Sequence, residues 1–158
     1  WRRERELVMG PAPPEWLLRL LNAADLEEIR AAIAATEDHT SGEIRVHLDP
    51  VCPEDPLGRA RAVFAALGMH ETAARNGVLI YVSIADRKLA VFCDIGLDAH
   101  VPASFWTQRC ADLGAHLHAG RAREGLLASV HDVGEVLRRA FPRSPDDRNE
   151  LRDDVSAG

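Results

Sequence analysis

A chain of 158 residues, 46% apolar and 28% charged, has material for one domain with a core and too little for two comfortable ones. Its net charge of −6, with arginines scattered among acids, argues against the basic face that nucleic-acid binding needs. Three widely spaced cysteines, Cys52, Cys93 and Cys110, match neither a disulfide framework nor a zinc pattern, and fit a reducing compartment such as the cytoplasm.

Prolines keep the lead PAPPEWLLRLL extended before a short apolar turn with Trp16 and Leu17, and residues 1–21 read as a lead segment. From Asn22 the spacing predicts a helix. Asn22 is its N-cap, Asp25 stands three positions on, and Leu26, Ile29 and Ile33 form one buried face. GEIRVHLD, 42–49, alternates: Ile44, Val46 and Leu48 point one way, Glu43, Arg45, His47 and Asp49 the other. That pattern predicts a half-buried strand near a sheet edge. After the proline-rich loop PVCPEDP, Leu57, Ala60, Phe64 and Leu67 predict a second helix that stops at Gly68.

GVLIYVSI, 77–84, is a continuous apolar run expected to be covered on both faces, and KLAVFCDI, 88–95, reads similarly. Ala85–Arg87 is the turn between them. Two further helices follow, one with a stripe of Trp106, Cys110, Leu113 and Leu117, the other with Leu126, Val130, Val133, Leu137 and Phe141. Residues 143–158 are polar and read as a disordered or loosely attached tail beyond a domain at 22–142. No stretch approaches the roughly 20 apolar residues of a membrane span. No signal-type apolar block follows WRRERELVMG, and an anchor or signal outside the given sequence stays open.

The order α-β-α-β-β-α-α predicts a compact α/β sandwich, with a small mixed β-sheet flanked by helices on both faces. The first two strands should be parallel through a right-handed crossover, and the third should return antiparallel. A turn at about Asp86 sets positions near 76 and 96 across from each other. Glu43, Asn76, Asp94 and Asp98 then collect at one sheet end, with Asp86 at the other. An oxygen-rich cluster of this kind suits calcium. Magnesium or manganese suits it less well, and zinc least. A plainer reading stands beside it: Asn76-Gly77 as a turn entry, Asp98 as a cap, Gly96 as a positive-φ position. The general rule for open α/β sheets favours the opposite, Asp49 and Asp86, end.

Weaker constellations fall away. His116 and His118, two apart, face different sides of their helix. Ser83 and Ser104 lack a nucleophile motif, Cys93 reads as packing, and no phosphate-cradling glycine loop occurs.

TSGEIRV at 40–46, RNGVLIYVSIADRK at 75–88, CDIGLD at 93–98 and HAGRAREGLLASVHDVGEVL at 118–137 together resemble the TPM domain family. The family occurs in thylakoid-lumen proteins of photosystem repair, in receptor-modulating proteins and in many bacterial proteins. This chain is most similar to its short bacterial type, which often has no anchor, and the likeness covers about residues 23–141. The resemblance implies a compact α/β sandwich and, in some members, calcium binding and acid phosphatase activity. It carries the acidic metal site onto Asp94 and Asp98, with Asn76 and Glu43 nearby. Many relatives have an aspartate just before the asparagine-glycine, where this chain has Arg75. A cation there repels a metal, and alternatively holds an anion such as phosphate or forms a salt bridge. Two functions are carried forward. One is a binding or accessory module assisting a membrane or envelope protein complex; the other is a metal-dependent phosphatase acting on phosphomonoesters.

Overall fold

A computed structural model describes residues 13–143 and 155–157, and expectations for residues 1–12, 144–154 and 158 lie outside the described residues. The elements are α1 (Glu15–Leu18), α2 (Ala23–Glu37), β1 (Glu43–Asp49), α3 (Pro56–Ala66), β2 (Gly77–Ser83) and β3 (Lys88–Cys93). They continue with α4 (Ala103–His118), α5 (Ala122–Ala140) and β4 (Val155–Ala157). Local chemistry fixes the helix ends. At α2 the Asn22 side chain accepts from Asp25 N at 2.8 Å while Asp25 accepts from Asn22 N at 3.0 Å, a closed capping box. Asp55 caps α3 by accepting from Gly58 N, Pro56 opens that helix, and Gly68 ends the segment at φ 69°.

The four strands lie in the order β3-β2-β1-β4. β1 and β2 are parallel, from Glu43 beside Gly77 to Asp49 beside Ser83. β2 and β3 form the expected antiparallel hairpin, from Val78 beside Cys93 to Ser83 beside Lys88. Helices cover both faces, and the fold is the mixed α/β architecture read from the sequence. On one face Ile44, Val46, Leu48, Val78, Ile80 and Val82 meet α2 through Ile29 and Ile33. The same core takes in Leu113 of α4 and Leu126, Val130, Val133 and Leu137 of α5, and the lead contributes Leu17 and Leu21. On the other face Leu79, Tyr81 and Ala90 pack with Ala60, Val63 and Phe64 of α3. Among the described residues no helix is long and apolar enough to cross a membrane.

Four details differ from the sequence reading. β1 is central, not near an edge, and its polar face is as buried as its apolar one. Alternation reveals a polar face; it does not say that water covers it, and here the polar groups bond to one another. β3 lies at the sheet edge with only Ala90 buried, so its apolar run does not mean enclosure on both sides. On α3, Leu57 is 44% exposed, and Val63 takes the core place its spacing suggested. Within the tail, Val155–Ala157 add to the sheet beside β1, Val46 pairing with Val155 and Leu48 with Ala157. Val155 and Ala157 both join the apolar core, two residues too few to register as a periodic signal.

The helices α2 and α5 cross closely because Gly134 offers no side chain to Thr36. A Cβ at Gly134 would stand 2.4 Å from Thr36 Cγ2, a branched atom with little room to give. Gly134→Ala is therefore expected to lower unfolding stability by about 1–3 kcal/mol. In a Thr36→Ala background the same change should cost much less. Urea denaturation of the four proteins measures the coupling, and equal costs in both backgrounds would refute the contact.

Candidate functional site

The N-terminal ends of β1 and β2 hold the residues singled out by the sequence. Glu43 opens β1 beside Gly77, whose carbonyl accepts from Asp94 N at 3.0 Å. One step further the Arg75 carbonyl accepts from Gly96 N at 2.8 Å. Gly96 is required by this approach and not by a positive φ. A Cβ there would meet Ala74 O at 2.1 Å and Arg75 O at 2.5 Å. Arg75 itself sits in the left-handed region at φ 52°, an uncommon position for a residue with a side chain.

That backbone carries the Arg75 guanidinium onto Asp94. Nε donates to Oδ2 at 2.7 Å and Nη2 to Oδ1 at 2.9 Å, the two-pronged geometry that matches arginine to carboxylate. Asp94 Oδ1 also accepts from Ile95 N at 2.8 Å, capping the 3-10 turn Ile95–Leu97. The Asp94 side chain is 4% exposed and that of Arg75 44%. The hydrogen bond to Asp94 holds the arginine's pKa above its ordinary value. Asp98 closes the 3-10 turn and is exposed, while Asn76 is buried and its Nδ2 donates to Ser41 Oγ at 3.3 Å. Burial, then the charges of Asp98 and Asp94, push the Cys93 thiol up to about 11, so it is protonated at neutral pH and a poor nucleophile.

The structure thus brings Glu43, Arg75, Asn76, Asp94 and Asp98 to one end of the sheet. Among the described residues no three carboxylate, histidine or cysteine side chains converge as metal ligands. A calcium ion needs open carboxylate oxygens, and both oxygens of Asp94 already serve Arg75. The arrangement at Asp94 does not fit the ion.

A second polar group lies at the other end, built on the face of β1 that was expected to meet solvent. Asp49 accepts from Tyr81 OH at 2.6 Å and Arg59 Nε at 2.9 Å, and its Oδ1 is 3.1 Å from His47 Nε2. His47 Nδ1 lies 2.8 Å from Ser156 Oγ on β4. The carboxylate can only accept, so Nε2 carries the proton toward Asp49, and in neutral His47 Nδ1 accepts from Ser156. Serine, histidine and aspartate in a row have the composition of a nucleophile relay. Here Ser156 and His47 are each 2% exposed, out of reach of substrate, and the chain fastens β4 to β1. Burial raises the Asp49 pKa, but the bonds from His47, Arg59 and Tyr81 outweigh it and hold the carboxyl well below the usual range. Burial and the bond to Asp49 push the Tyr81 phenol up, so it remains a donor. Asp86, expected to be a plain turn residue, binds Ser83 Oγ and accepts from Cys52 N at 2.9 Å, pinning the β1–α3 loop to the hairpin.

Residues 18–136 match the family described as the TPM domain. Among solved structures, the NMR structure of BA42 protein from the psychrophilic bacterium Bizionia argentinensis is similar at 36% identity and a TM-score of 0.81. The alignment covers 87% of this chain and 95% of that one. The N-terminal domain of a P. gingivalis protein, also solved by NMR, shares the fold at 23% identity and a TM-score of 0.65, covering 77% of this chain and 79% of that one. No curated protein matches the chain.

The Asp49 network has a defined pH signature. A depressed folded pKa gives stability that is present above the unfolded carboxyl value, about 3.9, and is lost as pH falls through the folded value. Asp49→Ala leaves Arg59, His47 and Tyr81 without their acceptor and is expected to destabilise by about 3–5 kcal/mol near neutrality. The gap between wild type and variant should hold from neutral pH to mildly acidic pH and narrow only in strong acid. Urea midpoints across pH measure it, and a gap that narrows on the alkaline side would contradict the assignment.

Proposed function

Because the chain belongs to the TPM domain family, we propose that it is a non-catalytic binding and accessory module whose Arg75 supplies, at Asp94, the positive charge that a calcium ion would supply. The observation that carries this reading is the two-pronged Arg75–Asp94 pair. A guanidinium on both oxygens leaves Asp94 no free lone pair directed to the same side, and its charge repels a divalent ion at close range. The nucleophilic groups near the sheet support the same reading: Cys93 is held protonated and Ser156 is buried. The partner in this reading is a membrane or envelope protein complex.

Thermal melting with calcium or with chelator tests the charge replacement. The wild-type midpoint should be the same in both. Arg75→Asp, which removes the guanidinium and adds a carboxylate beside Asp94, should gain a calcium-dependent rise of several degrees, abolished by Asp94→Asn. A calcium-dependent rise in the wild type would overturn the reading. Hydrolysis of phosphomonoesters by the wild type with calcium, magnesium or manganese would overturn it in favour of a metal-dependent phosphatase.

A further inference from the structure

A cavity of about 450 Å³ opens beyond the carboxyl ends of β1 and β2, at the opposite end of the sheet from Arg75 and Asp94. Open α/β sheets characteristically bind ligands beyond these strand ends, and the volume lies within the range of small-molecule sites. Its walls are apolar: Trp16 and Leu20 from the lead, Val82 from β2 and Leu117 from α4. Leu20 is 50% exposed, a large apolar side chain left open to water.

The floor has few polar groups to offer. Ile84 N and Ala85 N, at the end of β2, are already bonded to Asp49 O and Pro50 O, each at 2.9 Å. Recognition therefore falls to two arginines in the lining, Arg19 and Arg87. Neither forms an ion pair with a carboxylate among the described residues. Arg30, Arg59, Arg75, Arg109, Arg123 and Arg138 do; Arg61, Arg121 and Arg139 do not, but they are not in the lining. Arg87 is held at φ 52° in the hairpin turn. Such a conformation is costly for a residue with a side chain and tends to persist where a function needs it. A third positive element borders the cavity. Gly120 and Ala122 lie in its lining where α5 begins, and α5 has Arg121 at its N-cap and no side-chain cap on its first amides.

We propose that this cavity binds a small amphipathic organic anion: a carboxylate or phosphate-ester head held by Arg19 and Arg87, with an aromatic or aliphatic body against Trp16, Leu20, Val82 and Leu117. The two arginines read the head, and the apolar wall excludes inorganic anions from competing well. The site is independent of the Arg75–Asp94 reading and stands or falls separately.

The test uses 8-anilinonaphthalene-1-sulfonate, an aromatic anion, and its neutral analogue N-phenyl-1-naphthylamine. Arg87→Gly removes the guanidinium and suits the left-handed backbone, so this variant should fold at least as stably as the wild type. Arg19→Gln completes the pair. The double variant should bind the anionic probe at least about tenfold more weakly, on the scale of one lost charge-assisted bond, while the neutral probe binds both proteins alike. Octanoate or phenyl phosphate should displace the anionic probe where the same concentration of inorganic phosphate does not. Amide shifts induced in the wild type by the displacing anion should fall at residues 82–87 and 117–122. Equal binding of the anionic probe by both proteins, displacement by neither organic anion, equal displacement by inorganic phosphate, or shifts confined elsewhere would each overturn the proposal.

Discussion

Burying the carboxylate of Asp49 at the end of the central strand constrains much of this fold. An ionised carboxylate removed from water costs several kcal/mol unless donors surround it. Each donor comes from a different place: Tyr81 from β2, Arg59 from α3, His47 from β1 itself. Meeting that requirement fixes how α3 lies on its face of the sheet. Through the second nitrogen of His47 it extends to Ser156, so the short β4 is held by a side-chain bond as well as by strand pairing. The polar face of β1 is a seam joining four elements, and His47 stacks with the Tyr81 ring at 6.0 Å between centroids along it.

With the centre set in this way, the two ends of the sheet diverge in chemistry. At the end where β1 and β2 begin, the backbones of residues 74–75 and Gly96 approach so closely that a side chain at Gly96 would collide with them. Arg75 then closes over Asp94, and the positive and negative groups there satisfy each other. At the end where β1 and β2 finish, α4 and α5 turn over the sheet without filling the space, and the two arginines in the lining lack carboxylate partners among the described residues. In a chain of net charge −6, two arginines without carboxylate partners among the described residues, beside an apolar hollow, are a local reversal of the overall field, and that reversal is what the proposed anion site rests on.

Much of this was legible in the sequence, because the signals were local or strictly periodic. Asn22 and Asp25 announce a cap in four residues, Gly68 a stop, and the apolar run from Gly77 a strand enclosed by helices. The parallel pairing of β1 with β2 followed from the helix between them. What was not legible depends on contacts across long separations. Nothing in EIRVHLD says that its polar face is roofed, since the groups that satisfy it stand at 59, 81 and 156. Gly96 is needed because of Ala74 and Arg75, twenty or more residues away. Val155 and Ala157 look like any residues of a polar tail until β1 offers them an edge. The candidate residues Glu43, Asn76, Asp94 and Asp98 did come to one end, as the hairpin register required; how Arg75 would be aimed there depended on its backbone.

That backbone links the two ends. Arg75 and Arg87 are the two non-glycine residues with positive φ among the described residues, both at 52°. They flank the same strand, one just before β2 and the other in the turn after it. In a β-hairpin such positions are where glycine or asparagine would relieve the strain. An arginine at each raises the question of what offsets the backbone cost. At position 75 the compensation is visible, a two-pronged bond to a buried carboxylate. At position 87 no carboxylate of the described chain provides it, and the long side chain stands in the lining of the cavity. The same conformational cost is met from within the chain at one end of β2; at the other, the anion proposed for the cavity would supply the matching group.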